Sequence, residues 1–269
     1  MKIKVNYSTT YTYNKIVPKL IQCLKLYPTV SSNQQIINWK VKASKGKVFE
    51  SHIDALGHKI LNIFNTNLIG NLKITASGVV ETCDLSGIIK GLKEKVNPLC
   101  FLRNTRLTKP CKRSEKISKS IKLNSNDLVE FAHKLNLIVS ETIKYNEGST
   151  DTSTSSSEAL EKGQGVCQDF AHILITVARL NNLPARYVNG FLLEDINSGV
   201  NSTHAWAEIY LRGLGWVAFD PSHKRCIDQN YVRINAGYDF LDASMIKGVK
   251  TNYEGNEFLE SKVSINSCQ

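Results

Sequence analysis

The chain of 269 residues lacks any stretch approaching the roughly 18 consecutive apolar residues that a membrane helix needs. Its opening, MKIKVNYSTTYTYNKIVPKL, alternates polar and apolar residues and holds no apolar block of signal-peptide length. The expected compartment is the cytoplasm, with no membrane partner. C-x-x-C pairs are also missing. The seven cysteines (Cys23, Cys83, Cys100, Cys111, Cys167, Cys226, Cys268) are odd in number and widely scattered, which fits reduced thiols and not a disulfide framework or a zinc ribbon. Aromatics are scarce where positive charge is dense. From Lys90 to Lys122 eleven Lys/Arg face only Glu94 and Glu115, most of the net charge of +10, and Phe101 is the only aromatic there. Nucleic-acid binding is therefore not expected. The run reads as a solvated face, with docking of an acidic partner as the sharper alternative.

What is present falls into segments, and the length fits two domains. KIKVNYSTTYTYN and IINWKVKAS alternate, HKILNIFNTN and NLKITASGVVET are rich in β-branched and aromatic residues, and DALGHK (Asp54 to Lys59) reads as a turn. Residues 1–95 are thus expected to form a β-rich domain without a chemical cluster. Residues 96–124, with Pro98, Pro110 and the basic run, read as a linker. Residues 125–269 are expected to form a second domain with a C-terminal extension, including a short strand at SKVSI. It opens with a Ser-Asn-Asp capping signal and places Leu128, Phe131, Leu135 and Ile138 at helical spacing. The polar run NEGSTDTSTSSSEALEKGQG follows and reads as a loop. Beyond it Phe170, Ile173, Leu174, Val177 and Leu180 form one helical stripe, ended by Asn181-Asn182 and Pro184. ARYVNGFLL, HAWAEIYL and GWVAFD then read as strands, the last two joined by a hairpin at RGLG.

The chemistry concentrates around GQGVCQDFA. Gly163 and Gly165 allow a tight turn that delivers Cys167 to a helix start, where unpaired N–H groups and the helix dipole favour a thiolate. A nucleophilic thiol needs a base and an orienting group. His204 begins one hairpin strand and Asp220 ends the other, so folding the hairpin brings them to one sheet edge. A two-residue turn at Gly213-Leu214 would pair Ala207 with Asp220 and set His204 and Asp220 on opposite faces. The triad therefore requires an odd-length loop or a bulge. Asp169 is expected to stabilise the helix start, His172 to pack or hydrogen-bond, and a Cys167/His172/His204 metal site lacks ligand spacing.

GVCQDFAH, LPARYVNGFL, HAWAEIYLRGLGWVAFDPS and YDFLD, in this order, resemble the bacterial transglutaminase-like family of the papain-like thiol-enzyme superfamily. The resemblance spans about residues 125–245, and NWKVKAS, DALGHKIL and SGVVET resemble that family's N-terminal β domain. It implies an α+β core with a cysteine-bearing helix packed on an antiparallel sheet, preceded by an all-β domain. It implies nucleophile Cys167, general base/acid His204 and orienting Asp220, with no cofactor and no metal. Family members commonly carry Thr where this chain has Ser222, and Gly-Arg-Asp where it has Gly237-Tyr238-Asp239. The expected activity is thiol acyl transfer on protein or peptide amides, hydrolytic because no feature builds a second site for an amine donor. A cross-linking transglutaminase, a non-catalytic binding module of the same fold, and an adaptor acting through the basic run are the alternatives. The oxyanion candidates are the Cys167 backbone N–H and the Gln168 and Gln164 side chains, and Trp206 is a candidate for the substrate pocket.

Overall fold

Two long strands organise the first half of the chain in the computed structural model, which describes residues 1–121, 127–193 and 203–268. Strands β1 (Lys2–Leu24) and β4 (Lys59–Thr82) pair antiparallel along their length, with a register shift between Tyr13 and Val17. Strands β2 (Gln34–Ala43) and β3 (Lys47–Ile53) each flank one half of β4. Along β1, Ile3, Val5 and Tyr7 are buried while Lys2, Lys4 and Asn6 are exposed, so one face of the sheet is core and the other meets water. The turn at residues 54–58 forms as expected, with the Asp54 carboxylate accepting the Leu56 and His58 N–H groups.

The tail departs from expectation. It does not extend the second domain: β13 (Ile246–Thr251) and β14 (Glu257–Cys268) pair with β1 and complete the N-terminal sheet. An open β1 edge would leave a row of unpaired N–H and C=O groups, and the tail supplies their partners. The short strand expected at SKVSI is thus part of a twelve-residue one.

The second sheet runs β11 (Arg225–Cys226), β10 (Gly215–Asp220), β9 (Thr203–Leu211), β8 (Ala185–Leu192), β12 (Tyr231–Gly237), all antiparallel. Strand β5 (Ile88–Ile89) adds to β10. Helix α4 (Cys167–Leu180) lies on this sheet, and its stripe of Phe170, Ile173, Leu174 and Val177 is buried there. Helix α2 (Leu128–Thr142) packs on α4, with the Asp127 carboxylate accepting the Glu130 N–H as N-cap. The Ser125-Asn126 part of the capping signal, and Lys122 at the end of the basic run, lie outside the described residues.

Two further expectations need correction. Residues 96–121 are no linker: a 3-10 turn (Pro98–Leu102) buries Phe101 edge-on to Trp216, 5.5 Å between centroids, and α1 (Lys112–Ser120) packs on α4 through Ile117. The helix is amphipathic, so its lysines face water while Ser114, Ile117 and Ser118 face in. The Ser/Thr-rich run is not all loop. It contains α3 (Ser156–Lys162), opened by a Ser155/Glu158 capping box and closed by Gly163 at φ 68°. Strands β6 (Lys144–Tyr145) and β7 (Gln164–Gly165) form a short parallel pair beside it.

The two sheets share a core in which Phe191, Val232 and Ile234 meet Ile3, Val5 and Tyr7. A buried ion network lies in the same region. Arg233 donates to Glu208 (2.7 Å) and to Thr29 (2.8 Å), while Arg186 donates to Glu208 (2.6 Å) and Glu94 (2.6 Å). Burial would raise the Glu208 carboxyl, but the two guanidiniums hold it down at about 2. Among the described residues no helix is long and apolar enough to cross a membrane. The architecture is mixed α+β, as expected.

Candidate active site

The helix that carries Cys167 starts where it does because of Asp169. Its Oδ2 accepts the Val166 N–H (2.8 Å), closing the first turn, and the Thr150 hydroxyl (2.6 Å), tying down the preceding loop. A Cβ at position 165 would sit 2.7 Å from the Asp169 Cβ and Oδ2, so only glycine permits this approach. Burial raises the Asp169 carboxyl. Cys167 is the first residue of α4, and N–H groups of a first turn have no acceptor within their own helix.

The hairpin resolves the register requirement. Leu211 pairs with Gly215, so the loop is the three residues 212–214, and the ladder continues to Ala207 opposite Phe219. One step further sets Asp220 opposite Trp206, on the face that His204 shares two residues away. His204 Nε2 and Asp220 Oδ2 are 2.6 Å apart and both side chains are buried. The imidazole and the Cys167 thiol line the same cleft, and Cys167 acts electrostatically on the ring. With Nε2 engaged by Asp220, Nδ1 is the nitrogen left for sulfur. The structure thus brings all three predicted residues together.

Electrostatics follow from this chain of contacts. Burial alone would lower the His204 pKa, but the hydrogen bond to Asp220 and the influence of Cys167 outweigh it and push it up to about 10. Burial would raise the Asp220 carboxyl, yet the bonds from His204 and His223 hold it well below the usual carboxylate range. Three further residues fix Asp220. Oδ1 accepts the Ser222 hydroxyl (2.6 Å) and N–H (3.0 Å), and Oδ2 accepts Tyr231 Oη (2.8 Å) and lies 2.9 Å from His223 Nδ1. Sequence reasoning missed these three as site residues. Ser222 and His223 were findable, since Asp-Pro-Ser-His folds its side chains back on the aspartate. Tyr231 comes from β12 and left no local signal.

A cleft of about 300 Å³ opens over the thiol, walled by Cys167, Gln168, Tyr187, Asn189, His204 and Phe240. Tyr187 and Asn189 were also missed; they alternate along β8 within ARYVNGF, the period of a strand face. Burial first, then the charge of Cys167, raises the Tyr187 hydroxyl well above its ordinary value. Of the oxyanion candidates, Cys167 and Gln168 are among the residues that line this cleft. The Gln168 amide reaches Thr152 O only at 3.5 Å. Gln164 does not line the cleft: its Oε1 accepts from Asn146 Nδ2 at 2.9 Å. Trp206 is likewise corrected. It is fully buried behind His204 (6.3 Å between ring centroids) and edge-on to Tyr231 (5.5 Å), because it lies two residues deeper along the same strand face.

His172 is buried with Nε2 accepting the Phe240 N–H (3.1 Å), and burial lowers it to about 3. Among the described residues, His204, Asp220 and His223 are the group whose donor atoms, within 4.8 Å of one another, could hold a metal ion. All of these atoms are already engaged with one another by hydrogen bonds.

Residues 115–221 match the transglutaminase-like superfamily core, and residues 3–81 match the bacterial transglutaminase-like N-terminal region. An uncharacterized protein of Mycobacterium tuberculosis is 31% identical over 153 residues, covering 53% of this chain and 49% of that protein. The chain therefore spans about half the length of that relative. An uncharacterized protein of Mycobacterium leprae is 26% identical over 268 residues, covering 92% of each. In three dimensions the chain shares its fold with a crystal structure described as "a Putative Cysteine Protease from Cytophaga hutchinsonii". The TM-score is 0.75 at 21% identity, over 100% of this chain and 91% of the other.

Proposed function

Since the chain belongs to the bacterial transglutaminase-like family, we propose that it is a thiol acyl-transfer enzyme that hydrolyses protein or peptide amides. The observation that carries this reading is that Cys167 and His204 line one open cleft, with Asp220 hydrogen-bonded to the imidazole behind it. The raised His204 pKa supports an imidazolium able to donate a proton to the leaving group.

In this mechanism the thiolate attacks the carboxamide carbon and forms the S–C bond. The carbonyl electron pair moves to oxygen, against the Cys167 N–H and Gln168. His204 then gives its proton to the leaving nitrogen as the C–N bond breaks, and an acyl thioester remains. Water enters, passes a proton to the now neutral imidazole and attacks the thioester carbon. The acid departs, and the thiolate–imidazolium pair is restored. Asp220 is a positioning residue: it holds the ring with Nδ1 toward sulfur and balances the imidazolium charge. A lysine amine in place of water would give a cross-link.

The test is incubation with a glutaminyl peptide library, reading cleavage, ammonia release and amine incorporation by mass beside Cys167→Ala. Hydrolysis in the wild type and none in the variant is the expected result. Dominant amine incorporation would replace the hydrolytic reading with cross-linking. Equal signals from both proteins would remove the enzyme reading altogether.

A further inference from the structure

The outer face of the N-terminal sheet, turned away from the second domain, holds a larger concavity than the cleft, about 470 Å³. Strand register builds it. One row across four strands reads Lys40, Ser77, Asn6, Ser264, and the next reads Lys42, Thr75, Ser8, Lys262. The floor is hydroxyl and amide groups, and ammonium groups stand along both sides, on β2 and on β14. Among the described residues Lys40 and Lys42 have no carboxylate within ion-pair distance, and Lys262 leans on Glu260 (3.1 Å) on the same strand.

The lining selects among anions. It contains no arginine fork for bidentate phosphate recognition. Its one aromatic, Tyr7, is buried with its ring 5.9 Å from Phe191, so no platform exists on which bases or sugar rings could stack. Lys40 and Lys42 are two residues apart on a strand, about 6.8 Å, which is the spacing of alternate side chains in an extended peptide. From β2 to β14 the trough is three strand spacings wide, about 14 Å.

We propose that this trough binds an extended acidic segment of a partner polypeptide, its carboxylates paired with Lys40, Lys42 and Lys262 and hydrogen-bonded by the hydroxyl floor. The site is separate from the cleft, and this inference does not depend on the catalytic reading. It also differs from the basic run, whose Lys112, Lys116 and Lys119 stand on the single helix α1 with Glu115 among them.

The experiment uses the whole chain and a fluorescent peptide of alternating Glu and Ser, titrated by anisotropy. The variant Lys40→Ser/Lys42→Ser/Lys262→Ser removes three exposed charges. The variant Lys112→Ser/Lys116→Ser/Lys119→Ser removes three elsewhere and controls for bulk charge. The trough variant should weaken binding about tenfold or more, the sum expected of three surface ion pairs, and the helix variant less than about twofold. Binding should also vanish at about 1 M salt, where the screening length is about 3 Å. Equal losses in the two variants, or a loss confined to the helix variant, would overturn the proposal. So would tighter binding of a sulfated polysaccharide or of DNA than of the peptide through the same three lysines.

Discussion

Replacing Asp220 by Asn keeps the shape of the side chain and removes the charge that faces His204. In the wild type that contact, together with the influence of Cys167, lifts the imidazole from 6.5 to about 10. A group raised on folding contributes stability that is fully present below its unfolded pKa and is lost as pH rises through the folded one. The window for His204 therefore runs from about 6.5 to about 10. At about 1.36 kcal/mol per pH unit the contribution has a ceiling of about 5 kcal/mol, part of it owed to Cys167 and not to Asp220. The same contact lowers the Asp220 carboxyl, so it is counted once, on the imidazole. In Asp220→Asn, burial has no carboxylate to oppose it and draws the imidazole down. Urea unfolding at a series of pH values gives one stability curve for each protein, and their difference cancels titrations common to both. The wild-type advantage should be several kcal/mol near neutrality and shrink toward pH 10. Parallel curves across that window would refute the argument, because they would mean that the carboxylate and imidazole do not share a proton-linked contact. The variant should also lose about 10²–10⁴-fold in kcat, the scale expected when an orienting carboxylate is neutralised.

Other perturbations test other parts of the construction. His223→Ala removes one contact from Asp220 Oδ2 but leaves His204, Ser222 and Tyr231 in place. A fall in kcat of about three- to tenfold with KM unchanged is expected on the scale of one hydrogen bond in a network, and a change in KM alone would contradict it. Gly165→Ala drives a methyl group into Asp169, so thermal unfolding should show a loss of about 1–3 kcal/mol; an unchanged midpoint would mean the loop yields freely. Glu208→Gln leaves Arg186 and Arg233 buried without their shared carboxylate and should cost about 3–5 kcal/mol in urea unfolding. A cost below about 1 kcal/mol would show that water reaches that network.

Much of the site was legible because its signals are local. The α4 stripe repeats at the helical period, and a glycine pair before Cys167 marks a helix entry. His204 and Asp220 sit at the two ends of a hairpin whose parity is set by counting residues. That count required an odd loop or a bulge, and the three residues 212–214 supply the odd loop. The misreadings are equally physical. Basic composition made residues 96–121 look like a linker, although Ile117 and Phe101 are anchors whose burial depends on partners far along the chain. Serine and threonine richness hid α3, although its Ser-x-x-Glu box was present.

By itself the amino-acid order determined periodicity, turn positions, the helix start beneath the thiol and the parity of the hairpin. Each follows from sterics and hydrogen bonding among residues a few positions apart. Only the tertiary structure decided that Tyr231 would reach Asp220 from another strand, that Trp206 would lie behind the imidazole and not in the cleft, and that residues 246–268 would return to β1. Those outcomes depend on which distant surfaces exclude water from one another. Local pattern carries no record of that choice until the chain has closed on itself.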